Sequence, residues 1–297
     1  MGLLRAHRLL SGFLLCLLAL LAGCAPSEHE ALRLALAGEA INLDPRFTTD
    51  ATSARINRLI YARLVDFDAS AQPQPALASW ERLAPTYYRF HLGKQNRVFH
   101  DGGRLTSGDV KATYDFILDA ANVSPHRATL ELIERIDVVD ADTLDVFLNR
   151  PDPLLPAYMV IGILPERLAR QPQQADFVPV GSGPMAYIGR PEPGTVQLRR
   201  QSDAQLIEVV RVPDATVRVL KLLRGEVDLL QNDLPAELIT YLSQHPDIQV
   251  RRATGNNFAY LGFNLEDPAT AQLDVRLAVA HALDREAIIK YVLDESA

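Results

Sequence analysis

A serine set between two glycines, Gly181-Ser182-Gly183-Pro184, is the one place in this chain where residue type and spacing invite a nucleophile. The run lacks the glycine-x-serine-x-glycine pattern of a strained strand-to-helix turn, and Pro184 withholds an amide that an oxyanion hole could use. A tight loop lining a cleft is the better reading. The histidines are scattered: His91 falls in a strand alternation, His100 beside a Gly-Gly turn, His126 after Pro125, and His281 in the last helical segment. No two of them have the helical spacing of a zinc protease. Asp101-Gly102-Gly103 fits neither a phosphate loop nor a dinucleotide loop, because no strand-glycine-helix unit surrounds it. Asp137, Asp140, Asp142 and Asp145 cluster in a predicted hairpin, where a solvated edge is favoured over a pair of catalytic acids. No active site, metal site or cofactor site is expected from these residues.

Cysteine chemistry points elsewhere. Arg5 and Arg8 precede an apolar run over residues 9–22, which ends in Leu21-Ala22-Gly23-Cys24. The run is shorter than the ~20 residues a spanning helix needs and is followed by small residues, which reads as a cleaved secretory signal over 1–23 with a lipoprotein box. Cys24 is then the lipidation site and residues 24–30 a lipid-anchored tether. The only other cysteine, Cys16, lies in the segment to be removed, so no disulfide or thiolate metal site is expected in the mature chain. Cleavage removes two arginines and no acid, leaving 28 basic against 37 acidic residues and a formal charge near −9. That surface is a poor partner for nucleic acid. No later run is long and apolar, so the body is expected to be soluble and extracytoplasmic, periplasmic or at the cell surface, touching the membrane through its lipid.

The elements that must carry any site follow from periodicity. Leu32, Leu34 and Leu36 alternate as a strand; Ile56, Leu59, Ile60 and Leu64 recur at helical spacing; Tyr88, Phe90 and Leu92 alternate as a half-buried strand. Thr106 with Asp109 three residues on opens a helix whose inner face is Val110, Tyr114 and Ile117. Residues 136–139 and 144–148 form a hairpin. A Pro-rich stretch from Pro151 to Pro184 has no clear period, and strands return over 195–200 and 207–212. Then come a helix over 214–224 closed by Gly225, a strand over 227–230, a helix over 235–243, strands over 248–251 and 258–263, and a last helix opening at Asp274. This alternation indicates an α/β architecture.

The order of these segments resembles the family 5 extracellular solute-binding proteins, the peptide-binding subunits of ABC importers. The resemblance rests on Leu43-Asp44-Pro45, Leu59-Ile60-Tyr61-Ala62-Arg63-Leu64-Val65, Pro75-Ala76-Leu77-Ala78-Ser79-Trp80, and Phe99-His100-Asp101-Gly102-Gly103 with the helix after it. It continues through Val180-Gly181-Ser182-Gly183-Pro184, Leu223-Arg224-Gly225-Glu226-Val227-Asp228, Leu261-Gly262-Phe263-Asn264 and the helical run from Val275 to Arg285. Each motif alone is weak, and the ordered set over residues 31–294 is specific. Gly103-Arg104 and Met185 depart from the family's usual small polar residue plus proline and its usual tyrosine.

The resemblance implies a two-lobe, periplasmic-binding-protein-like clamp of type II. The expected first lobe, over 31–262, is nearly complete and contains an inserted subdomain near 45–170. A second lobe starts at 263–297 and is truncated. It implies ligand contacts at Thr49, Ala51 and His126. It also implies a peptide or similar small solute as ligand, ABC permease subunits as partners, no cofactor and no catalytic residue. The acidic residue that grips a peptide's amino terminus in peptide-binding members has no counterpart here. Two other classes stay open: a secreted envelope lipoprotein hydrolase, which would need a positioned nucleophile and base, and a non-transporting truncated family member.

Overall fold

Asp109 organises the centre of the fold by capping two helices with one carboxylate. In the computed structural model, which describes residues 31–232, 234–253 and 260–293, its Oδ2 accepts from the Thr106 amide at 2.7 Å and the Thr106 hydroxyl at 2.9 Å, opening helix α2 (Ser107–Leu118). Its Oδ1 accepts from the Glu166 amide at 2.7 Å, at the start of the short helix α5 (Glu166–Ala169). A carboxylate suits both places because exposed amides and the positive end of the backbone dipole meet there. Thr113 adds a second tie, donating to the Asp109 carbonyl at 2.8 Å and accepting from the Leu164 amide at 3.2 Å. The signal sequence, Cys24 and the tether lie outside the described residues, as do residues 258 and 259 of the last predicted strand.

The chain forms two compact units. The first comprises the described residues up to Leu34 together with Glu39–Val210; the second comprises Ala35–Gly38 and the described residues from Arg211 onward. In the first unit, β4 (Ala78–Ala84), β5 (Tyr87–Leu92), β6 (Ile133–Asp140) and β7 (Thr143–Leu148) make an antiparallel sheet in the order β4-β5-β7-β6. Alternation buries Tyr88, Phe90 and Leu92 against Leu144, Val146 and Leu148, and α2 lays Val110, Tyr114 and Ile117 on the same core. Beside it run the helix α1 (Ala51–Ile60), the two-stranded β2 (Val65–Phe67) and β3 (Pro73–Pro75), and the short helices α3 (Arg127–Leu130) and α4 (Leu155–Tyr158). A further meander is made by β8 (Met185–Gly189), β9 (Thr195–Arg200) and β10 (Leu206–Arg211). The strand β1 (Leu32–Leu36) lies next to β10, and Arg33 Nε meets Glu208 Oε2 at 3.3 Å.

In the second unit, the end of β1 neighbours β11 (Leu229–Leu230), and the Val212 amide donates to the Leu36 carbonyl at 2.8 Å. Helix α6 (Ala215–Leu223) starts at Asp214, whose carboxylate accepts from the Val217 amide at 2.8 Å, and it closes before Gly225, which adopts φ +68°. That left-handed conformation is one that glycine adopts without a Cβ penalty. Helices α7 (Ala236–Ser243), α8 (Leu273–Ala282) and α9 (Arg285–Tyr291) follow. Residues 248–251 and 260–263 form no strand, contrary to the alternation read there. Among the described residues no helix is long and apolar enough to cross a membrane.

Candidate functional site

The segment after β1 is held by a buried ion pair. Asp44 Oδ1 accepts from the Arg46 amide and Nε, both at 3.0 Å, and Asp44 Oδ2 meets Arg46 Nη2 at 2.6 Å. Both side chains are fully buried. Arg46 Nη1 donates to the carbonyls of Ala169 and Gln171 at 2.8 Å each, and the guanidinium carbon stands 3.9 Å from the Phe116 ring centroid. A buried guanidinium is tolerable only when its donors are met, and four of its five N–H groups find acceptors here.

That anchored segment gathers the rest. The Ser124 hydroxyl donates to the Arg46 carbonyl at 2.7 Å, joining two segments 78 positions apart. Thr48 donates from its hydroxyl to the Asp44 carbonyl at 2.8 Å and accepts from Asn57 Nδ2 at 2.6 Å. Asp50 caps α1 by accepting from the Ser53 amide at 2.8 Å, and Tyr61, at the end of that helix, donates to the Leu43 carbonyl at 2.9 Å.

Between these pieces lies a pocket of about 250 Å³ within the first unit. Pro45, Ala54, Val160 and Ile161 supply apolar wall; Thr48, Asn57, Arg58, Arg63 and His126 supply polar groups; Gly162 completes the lining. Gly162 is required there, since a Cβ would come 2.6 Å from Tyr61 Cβ and 3.2 Å from Pro45 Cβ. The pocket brings in one of the three expected contact residues. His126 lines it, whereas Thr49 and Ala51 are exposed and flank its rim segment in sequence without lining it.

The electrostatics divide into two sides. Asp66 is shared by two arginines, meeting Arg58 at 3.0 Å and Arg63 more closely still. Burial opposes its ionisation, but the Phe67 amide with Arg63 and Arg58 outweighs that and holds the carboxyl below its usual range. On the other side, burial pushes the His126 ring below its usual pKa, partly opposed by the Thr48 backbone carbonyl, so the ring is neutral at pH 7. His126 Nε2 and Asn57 Oδ1 are buried with no hydrogen-bond partner among the described residues.

The other residues singled out by chemistry take structural positions. Ser182 is 3% exposed, and its hydroxyl has no partner among the described residues; the nearby His100 points Nε2 at the Gly183 carbonyl, 3.0 Å away. The loop is glycine-rich because it presses on the end of α1: a Cβ on Gly181 would stand 2.0 Å from the Ile60 carbonyl oxygen. The aspartates of the hairpin are not simply solvated. Asp145 is buried on β7, accepting from Arg89 at 2.7 and 2.8 Å and from the Tyr87 hydroxyl at 2.8 Å, and Asp142 pairs with Arg97 and Arg104. Among the described residues no three His, Cys, Asp or Glu side chains gather as a metal-ligand set.

Asn57, Arg58 and Arg63 were not singled out by sequence. The signal available was Asn57, a polar residue in the buried phase of α1 between Ile56 and Ile60.

Residues 71–297 match the bacterial extracellular solute-binding proteins, family 5 Middle. The chain is 29% identical to heme-binding protein A of Haemophilus influenzae over 85% of its own length and 52% of that protein's. It is 26% identical to the dipeptide-binding protein of Escherichia coli over 95% of its length and 60% of that protein's. The chain therefore spans little more than half the length of these relatives. Its fold is similar to the crystal structure of NikZ from Campylobacter jejuni in complex with Ni(L-His), with a TM-score of 0.79 at 22% identity, covering 90% of this chain and 56% of that one. By sequence and by mixed α/β fold, this chain belongs to the family 5 bacterial extracellular solute-binding proteins.

Proposed function

We propose that the chain works outside the cytoplasm as a lipoprotein that captures peptides or similar small solutes and delivers them to the permease of an ABC importer. Cys24 would carry the lipid, and solute would bind at the face bearing Thr49, Ala51 and His126. The observation that supports this most is local: the buried Asp44–Arg46 pair and the Ser124 hydrogen bond hold Pro45, Thr48 and His126 around one pocket, beside Thr49 and Ala51 in sequence, in a chain of this family.

The relatives' names cover different cargo, heme in one and dipeptide in another, so ligand class has to come from this chain's own lining. In the two-lobe reading, with lobes at 31–262 and from 263, solute touches both lobes only when they close. Binding then shifts an open-closed equilibrium by its differential affinity. Peptides suit such a site because every peptide presents the same amides and carbonyls.

Two measurements test the reading. Equilibrium dialysis of the purified chain against a mixture of short peptides, followed by mass spectrometry, is expected to retain peptides intact; retention of none, or their cleavage, removes it. Fatty-acid labelling in cells is expected for the wild type and lost in Cys24→Ser, and equal labelling of the variant removes the anchor.

A further inference from the structure

The polar groups of the pocket select among ligands more narrowly than the family does. Asn57 is 7% exposed, and its amide nitrogen is committed to Thr48 Oγ1, which fixes Oδ1 as the atom left without a partner. His126 Nε2 is likewise buried and unpartnered. With the proton on Nδ1, toward the Thr48 backbone, Nε2 of the neutral ring is an acceptor. Two residues of the lining thus each carry a buried acceptor with no partner among the described residues, and a buried acceptor left unmet is costly.

The cationic side sets the charge of that ligand. Arg58 and Arg63 share one carboxylate, Asp66, leaving an excess of positive charge. The Arg63 side chain is only 13% exposed, and burial pushes its pKa down against Asp66, so it gains from a further anion. An ammonium would be repelled by the same pair. Whole-ligand pockets run from about 300 Å³ upward. At about 250 Å³, this one has room for one end of a solute.

We propose that this pocket is a subsite for the anionic end of a solute, one that also carries neutral hydrogen-bond donors, with Arg58 and Arg63 meeting the anion and Asn57 Oδ1 and His126 Nε2 accepting from the donors. For a peptide, that is the carboxylate end with its amide N–H groups, not the ammonium end. The inference rests on the solute-binding reading above and gives it a direction.

The test uses the purified chain with nitrogen-15-labelled histidine, its His126 ring signal assigned by comparison with His126→Phe. Three probes are titrated: N-acetyl-dialanine, which has a carboxylate and no ammonium; dialanine amide, which has the reverse; and D-gluconate, an anion rich in hydroxyls that is no peptide. N-acetyl-dialanine and gluconate are expected to move the His126 signal saturably, and dialanine amide to bind at least tenfold more weakly. Losing one neutral hydrogen bond in His126→Phe is expected to raise the dissociation constant about three- to tenfold, by calorimetry. Arg58→Gln, at a side chain 55% exposed and so safe for folding, is expected to weaken both anions about two- to fivefold and to leave dialanine amide no weaker.

Equal binding of cation and anion, an unmoved His126 signal, or unchanged anion affinity in Arg58→Gln would overturn the subsite. Peptide retention with an unmoved His126 signal would overturn the subsite alone. Gluconate binding that depends on Arg58, in a chain that retains no peptide, would support the subsite and remove peptide as cargo.

Discussion

Helix α2 buries Val110, Tyr114 and Ile117 completely, while α8 carries Val275, Ala278, Val279 and Ala282 at comparable spacing and buries no residue. Both faces are readable in the sequence; β6, β7 and α5 press on α2, whereas no side chain of α8 is buried among the described residues. The difference teaches that an apolar stripe states a requirement for cover and does not itself supply the cover. Charges divide the same way. Asp44 and Arg46 are fully buried and joined by two hydrogen bonds, with the Ala169 and Gln171 carbonyls taking further guanidinium donors, whereas Arg200 and Asp203, 2.7 Å apart, stay 39% and 50% exposed.

The comparison breaks first at the buried pair. Asp44→Ala strands Arg46 without its carboxylate and is expected to destabilise the first unit by about 3–5 kcal/mol, whereas Asp203→Ala, at a solvent-screened surface pair, is expected to leave the unfolding midpoint nearly unchanged. Urea unfolding followed by the fluorescence of Trp80, the chain's single tryptophan and a member of β4, measures both. Similar costs would mean that burial does not govern these pairs.

The helices come next. Ile117→Ala is expected to cost about 2–5 kcal/mol, and Val279→Ala, on the apolar stripe of α8, about 1 kcal/mol or less, followed by circular dichroism together with Trp80 fluorescence. A large loss for Val279→Ala would show that the stripe of α8 does have a partner.

The smallest effect concerns pH. Burial holds the His126 ring below the ordinary histidine pKa of about 6.5 in the folded chain, so the unfolded chain binds more protons between those two values. Its contribution is fully present above pH 6.5 and is lost as pH falls through that window. Thermal unfolding of the wild type against His126→Phe between pH 7.5 and 5 should show the variant with the flatter dependence. A variant that falls as steeply as the wild type would mean another group titrates.

The same contrast explains what the sequence made legible. Strands β1, β5, β9 and β10, the β6–β7 hairpin, and helices α1, α2, α6, α7 and α8 all announce themselves by period and caps. Strand β4 does not, because only Ala78 of its seven residues is buried and no alternation survives. β2 and β3 are three residues each, and two prolines occupy β3, so their pairing is set by the surrounding chain. Residues 248–251 alternate as a strand would but have no neighbouring strand to pair with among the described residues.

At the site, His126 was reachable through flanking motifs. Arg46 was not, because an arginine two residues from an aspartate looks like an exposed turn until Ala169, Gln171 and Phe116 close around it. The arginines of the pocket were hidden for a similar reason. Arg58 and Arg63 meet only through Asp66, on a strand that the period did not mark.

The central claim is that a solute binds where the 44–51 segment and His126 meet, and nuclear magnetic resonance on the labelled chain tests it most directly. Trialanine titrated into the protein should move the Thr49 and Ala51 amides and the His126 ring together, along one saturating curve, with the peptide recovered uncleaved. Saturable binding that leaves all three unmoved, or no binding by trialanine or any other short peptide, would contradict the account.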